Sequence, residues 1–584
     1  MKKTLSLCSV LLLSACASTV PVAPAPAPVQ APVAPRLSDY TLNSGAERAP
    51  EQLAVVFEHA DLKLRIDPDA RSIAGDATLT FLAKSPLARI VVDLDHNLPI
   101  DFISIDNAVL PKSAWSNPEG RLTITLPQPL DAGARATVRV VYHGIPHVAV
   151  RAPWDGGFVW SKTPDGQPWI ATAVEGEGCD LFWPCIDHPM GKPLMVDEHI
   201  TVPAGLVSAG NGIAMGVDTS VPGWTTYHWL AKNPSTYGVS LNIGPYETLS
   251  SNYISRFGNT IPLRFWYLRG EEPQAKVLFE EFRPMLDFLE SAIGPYPFGD
   301  EKMGVVETPH KGMEHQTINA YGNKYAKTAY GYDDLLQHEL SHEWFGNQMT
   351  NANWDDMWLH EGFASYMQPL YMEYLHGEQE YFASLMRMRA GILNKAPIVS
   401  GSPKREEDVY NTDRGGPGSD IYGKGALILH TLRAQIGEDA FLRATRRLVY
   451  GTETPRPGAL TPRYATTKEF IAAVNDVTGK DMNWFFNVYL YQAALPDLQS
   501  IQKGNQLYLT WKIENDKPFP MPVDVRVGDH VVTVPMKDGR GQITLPALAT
   551  YTLDPHSKLL RREPRFEEAR AYTEAQKKLE KKKD

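Results

Sequence analysis

The chain has 584 residues, 43% of them hydrophobic, 10% aromatic and 21% charged, and a formal net charge of -11. This composition is that of a globular protein and excludes disordered or fibrous classes. The acidic balance leaves no basic footprint for nucleic acid. The length exceeds one ordinary core and implies about two to four domains.

The N-terminus reads as a targeting segment. Lys2 and Lys3 precede a short apolar run from Leu5 to Leu13, and small residues follow. The run is too short to span a bilayer. Leu13-Ser14-Ala15-Cys16 resembles the bacterial lipobox, so residues 1–15 are expected to be a lipoprotein signal peptide, with lipid attached at Cys16. The expected location is the bacterial cell envelope, lipid-anchored and facing the periplasm or exterior. Ala17 after the cysteine favours the outer membrane by the sorting pattern of such lipoproteins. Residues 16–36 form a Pro/Ala-rich tether. In polyproline II geometry, at ~3.1 Å per residue, its residues 19–36 span roughly 50 Å. With Cys8 removed and Cys16 lipidated, Cys179 and Cys185 remain. Two readings stay open for them, a short-loop disulfide or buried free thiols.

Residues 37–249 alternate in hydropathy, as in Asp61–Ile66, Ala77–Phe81, Arg121–Leu126 and Ala136–Val141, and predict an N-terminal β domain. From about 270 the period turns helical. Gln274–Ile293 is expected as one amphipathic helix ended by Gly294-Pro295. A helix over 333–345 and a second through Glu361 and Tyr366, kinked or ended at Pro369, follow. Residues 421–436 and 467–475 also read as helices. Alternation returns over 496–562, a small β domain, and 563–584 is a charged tail expected to be a solvated, frayed helix.

The chemistry concentrates in His338-Glu339-Leu340-Ser341-His342. Residues four apart share one helix face, so His338 and His342 can meet one metal ion. Glu339 can then reach a metal-activated water as general base. Zinc in a catalytic site takes three protein ligands and keeps a fourth position open. Glu361 is the candidate third ligand. Asp333 offers a helix cap, and Leu335, Leu336, Leu340 and Phe345 an apolar face.

These blocks resemble the aminopeptidase N and leukotriene hydrolase family of zinc metallopeptidases, the gluzincins. The resemblance rests on His338–Asn347, on Trp358–Ala364 and on the eighteen residues (343–360) between His342 and Glu361. It extends to Lys311-Gly312-Met313-Glu314-His315, Phe182–Asp187 and Tyr422–Gly425, and covers roughly 170–495. It implies a saddle-like all-β N-terminal domain, a thermolysin-like α+β catalytic domain over 250–495 and one Zn2+ per chain. By residue, it implies His338, His342 and Glu361 as ligands, Glu339 as base and Tyr422 as oxyanion donor. Glu314 and Glu175 would bind the substrate's α-ammonium, beside Gly312 and Met313. The implied activity is removal of N-terminal residues from peptides with a free N-terminus.

Some residues depart from the family pattern. Lys311 stands where the motif has its first glycine, His315 where it has asparagine, and His360 where asparagine precedes the ligand glutamate. The chain is expected to be a short bacterial lipoprotein form without the large C-terminal helical domain, and hence to have an open cleft or one closed by a partner subunit. Oligomeric state and preferred N-terminal residue stay open. Two other readings are a surface-displayed peptide-binding protein with a relict site and a zinc epoxide hydrolase.

Overall fold

The computed structural model describes residues 36–580 apart from residues 46 and 459. The signal peptide, Cys16 and nearly all of the tether lie outside these residues.

The N-terminal half is built on an eight-stranded sheet. Its strands are β1 (Val55–Asp67), β2 (Ser72–Ala83), β3 (Ile100–Ile105), β4 (Ala108–Val109), β5 (Arg135–Gly144), β6 (Met195–Pro203), β7 (Ile213–Asp218) and β8 (Trp224–Lys232). They lie in the order β7-β8-β6-β1-β2-β5-β3-β4. Alternation decides which face is buried: Ala60, Leu62, Leu64 and Ile66 of β1 are at most 2% exposed, while their neighbours reach solvent. A three-stranded sheet of Leu87–Asp93, Arg121–Leu130 and Trp115–Ser116 adds Ile90, Val92, Leu122 and Ile124 to the same core. A four-stranded sheet holds Gly157–Lys162 and Pro168–Ala173, whose end leads into Glu175. Cys179 and Cys185 form a disulfide, with Cα atoms 6.3 Å apart. Paired backbone bonds between Asp93 and Cys185 fasten this loop to the β core.

The strand Tyr246–Ile254 crosses the 249/250 boundary expected from the sequence. It pairs with Thr260–Leu268, which runs parallel to Met303–Glu307, itself parallel to Asn319–Tyr321. The single helix expected over 274–293 is two, α1 (Glu272–Phe279) and α2 (Phe282–Ala292). Pro284 is the reason: it has no N–H for a bond four residues back, and its ring clashes with that carbonyl. The next helices are α3 (Asp334–Ser341), α4 (Trp358–His376), α5 (Glu378–Gly391), α6 (Glu406–Tyr410) and α7 (Gly423–Ile436). α3 stops at Ser341 rather than 345. Pro369 neither ends nor interrupts α4, which is buried on both sides of it through Met367, Leu370, Tyr371 and Met372; packing outweighs the lost hydrogen bond.

Two three-stranded sheets follow, one of Asp497–Lys503, Gln506–Lys512 and Arg540–Thr544, the other of Val523–Val527, His530–Val534 and Tyr551–Leu553. The charged tail forms a helix over Pro564–Glu580, held near its start by Arg389 on Glu563 and Arg570 on the carbonyl of Ala390. Among the described residues, no helix is long and apolar enough to cross a membrane.

Candidate active site

α3 begins as its sequence requires. The Asp333 carboxylate accepts a hydrogen bond from the Leu336 amide, a cap worth about 1 kcal/mol. Tyr321 and Asn323 donate to the same carboxylate. Helical spacing then brings the Nε2 atoms of His338 and His342 to 3.2 Å. Nδ1 of His342 lies 2.9 Å from the carbonyl of Phe345, which leaves Nε2 free to act as a ligand atom. Glu361, one turn into α4, places Oε2 3.3 Å from His338 Nε2 and 3.6 Å from His342 Nε2. These spacings are close to the roughly 3.3 Å edge of a tetrahedron with bonds of 2.0–2.1 Å.

The donor set fits a divalent cation. Glu361 Oε2 is buried and makes no hydrogen bond. Burial opposes charge on His342, yet Glu361, Glu314 and Glu339 push its imidazole up to about 10. Burial would likewise raise Glu361, but His342 and His338 hold it well below the carboxylate range. The pocket's acidic groups thus demand positive charge at the point where the three ligand atoms converge, which zinc would supply.

Two close approaches build the rest of the site. Gly362 of α4 and Gly425 of α7 pack against each other. A Cβ on either would lie 3.0–3.2 Å from the other's Cα. This contact brings Glu361 next to Tyr422, the residue that precedes α7. The Tyr422 ring stacks at 6.1 Å on His338, and its hydroxyl is 3.3 Å from that of Tyr410. Gly312 is the second approach: a Cβ there would collide with the Glu339 carboxylate as it is placed, so glycine lets this segment lie directly against the acid. Burial raises Glu339 well above the ordinary carboxylate value, against the pull of His342.

A cavity of about 350 Å3 joins these groups. It is lined by His338, Glu339, His342, Glu361 and Tyr422, together with Glu175, Gly312, Met313 and Glu314. All the sequence-predicted site residues in the described part of the chain therefore meet in one place. Glu314 is 3% exposed and accepts a hydrogen bond of 2.8 Å from Tyr237. Glu175 is 8% exposed, with Oε1 unpartnered. Burial, then Glu314 and Glu406, lift Glu175 well above the usual range.

The departures separate. Lys311 is exposed on the cavity wall. His315 is fully buried away from the lining, and burial pushes it down to about 3, so it is a neutral core residue. His360 is also buried, and its Nε2 accepts a hydrogen bond from the Asn351 amide, away from the three ligand atoms.

Sequence reasoning missed Tyr237, Tyr410 and Glu406. Glu406 of α6 lines the cavity at 8% exposure, and its side chain has no hydrogen bond or ion pair among the described residues. Burial and then Glu177 push it up to about 8. No motif marked it, because α6 lies between the recognisable blocks.

By make-up, a centre of this kind is metallohydrolase in class. The model of the peptidase family M1 domain matches residues 311–489. Tricorn protease-interacting factor F2 of Thermoplasma acidophilum is 24% identical over 371 residues, 61% of this chain and 44% of that protein. Human endoplasmic reticulum aminopeptidase 1 is 24% identical over 429 residues, 68% of this chain and 43% of that one. The chain spans less than half the length of these relatives. A crystal structure of an M1 zinc metallopeptidase mutant from Deinococcus radiodurans, bound to a Tyr-Ser-Ala substrate, superposes with a TM-score of 0.63 at 26% identity, over 78% of this chain and 98% of that one. Residues 311–489 thus carry the peptidase family M1 match, and the solved structure that the chain resembles is an M1 zinc metallopeptidase.

Proposed function

We propose that this chain is a zinc aminopeptidase that hydrolyses the first peptide bond of peptides with a free N-terminus. The observation that carries the reading is the placement of two buried carboxylates, Glu314 and Glu175, in the same cavity as the three candidate metal ligands. A buried carboxylate pair needs a cationic partner, and a substrate α-ammonium provides one at a set distance from the reacting bond. Held by His338, His342 and Glu361, zinc would polarise the scissile carbonyl and acidify the attacking water. Glu339 takes the proton of that water and passes it to the leaving amine. Tyr422 directs its hydroxyl at the developing oxyanion. Gly312 and Met313 line the cavity where the substrate backbone would lie.

The test is a panel of aminoacyl-arylamides and peptides, each with a free or an acetylated N-terminus, with and without chelator. Chelator-sensitive release from the free forms alone is expected. No such release from any substrate would sink the reading. Glu314→Ala is expected to lower kcat/KM for free N-termini by about two orders of magnitude, and to leave the residual rate on acetylated peptides unchanged. Glu406, a further unpaired acid facing the cavity, favours a cationic side chain on the first residue. Glu406→Gln is expected to lower kcat/KM for N-terminal Arg or Lys about tenfold more than for Leu, the loss of one charge-assisted bond. Equal losses on both would remove that role.

The same reading places the enzyme in the bacterial envelope, anchored through lipid on Cys16 and acting on peptides there. The Cys179–Cys185 disulfide supports an oxidising compartment. Release of the Cys16→Ala protein into the soluble fraction would support the anchor; unchanged membrane association would contradict it.

A further inference from the structure

The outer face of the eight-stranded sheet carries a second cluster of His and Asp side chains, formed by residues outside the candidate active site. β1 contributes His59 and Asp61, β6 contributes Asp197 and His199, and β8 contributes His228. The register explains the grouping. Asp61 pairs across with Asp197, and His199 pairs across with His228. Side chains two apart on a strand share a face, so all five point away from the buried row of Ala60, Leu62, Val196 and Ile200.

The donor atoms converge. Asp197 binds His59 Nε2 at 2.7 Å through Oδ2 and His228 Nε2 at 2.6 Å through Oδ1. The His199 and His228 rings stack at 4.0 Å. His199 Nε2 is 3.3 Å from Asp61 Oδ1, an oxygen that makes no hydrogen bond. Asp197, His199 and His228 each offer a ligand atom within 4.8 Å of the others, the same measure that groups His338, His342 and Glu361.

We propose that Asp197, His199 and His228 bind a second Zn2+, with Asp61 closing the coordination and His59 orienting Asp197 from its far oxygen. Mixed imidazole and carboxylate donors around four positions suit zinc. Two donors at i and i+2 on one strand, with a third directly across on the next, hold ligand atoms on rigid backbone. The Asp197–imidazole distances are shorter than the roughly 3.3 Å edge of a zinc tetrahedron, and side-chain rotation on fixed strands provides the difference. The flanking cation, Lys63, lies 3.7 Å from Asp61 and leaves Asp197 to the imidazoles. The ion would clasp β1, β6 and β8, and its role is structural, apart from the peptidase centre.

The experiment is metal content after loading the full chain with Zn2+ and removing excess by gel filtration. The expected value is about two Zn2+ per chain, falling to about one in His199→Ala/His228→Ala with arylamidase activity unchanged. A His338→Ala/His342→Ala chain is expected to keep about one Zn2+ and to lose it on adding Asp197→Asn. This second series reads the sheet site by itself, and its thermal midpoint with and without Zn2+ reports binding if the first double variant folds poorly. One Zn2+ in the wild type, or two in the sheet variants, would overturn the proposal.

Discussion

Glu339→Gln is expected to lower kcat by about three orders of magnitude, within the 10²–10⁴ range for a positioned general base, while zinc content stays that of the wild type. The substitution keeps size and shape, which matters because Gly312 leaves no spare room beside this side chain. It removes only the capacity to accept a proton. The candidate ligand atoms belong to His338, His342 and Glu361, so metal affinity has no reason to fall. Parallel measurement of kcat and zinc content decides the matter. A variant that keeps more than about a tenth of the rate would remove Glu339 from proton transfer.

Tyr422→Phe carries the second large effect. Its hydroxyl touches only Tyr410 among the described residues, at 3.3 Å, and faces the cavity next to His338. Burial holds the phenol far above its usual pKa, so at neutral pH it stays a donor. A donor aimed at charge that appears only in the transition state contributes to kcat and little to ground-state binding. The expected result is a fall in kcat of about 10²–10³ with KM within about threefold of the wild type. A rise in KM at constant kcat would instead make Tyr422 a substrate-binding residue. The ring itself stacks on His338, and phenylalanine preserves that contact, so the effect isolates the hydroxyl.

Local residue patterns made much of the architecture legible. Strict alternation marked β1, β2 and β5, because a half-buried strand exposes every second residue. The cap at Asp333 and the helical spacing of His338 and His342 are contained within ten residues. The two departures have different causes: Pro284, inside the periodic run itself, split α1 from α2, and the buried surroundings of Pro369 carried α4 past it. The Cys179–Cys185 pairing stayed open until backbone contacts around Asp93 set the loop.

Glu406, Tyr237 and Tyr410 were invisible for a related reason. Each lies in a segment without a motif, and matters only because the fold brings Glu406 and Tyr410 onto the cavity and Tyr237 onto Glu314. The cluster on the sheet was equally hidden. His59, Asp197 and His228 are far apart in the chain, and only strand register puts them side by side.

The sequence by itself determined the metal-binding helix, the candidate ligands and base, and the kind of chemistry they suit, because that information is local or carried by fixed spacing. The tertiary structure decided which carboxylates share the cavity, how Gly362 and Gly425 bring Glu361 to Tyr422, and which face of the β-sheet gathers a second donor set. Those are contacts between residues remote in sequence. Their existence depends on packing and strand register, which no single segment encodes.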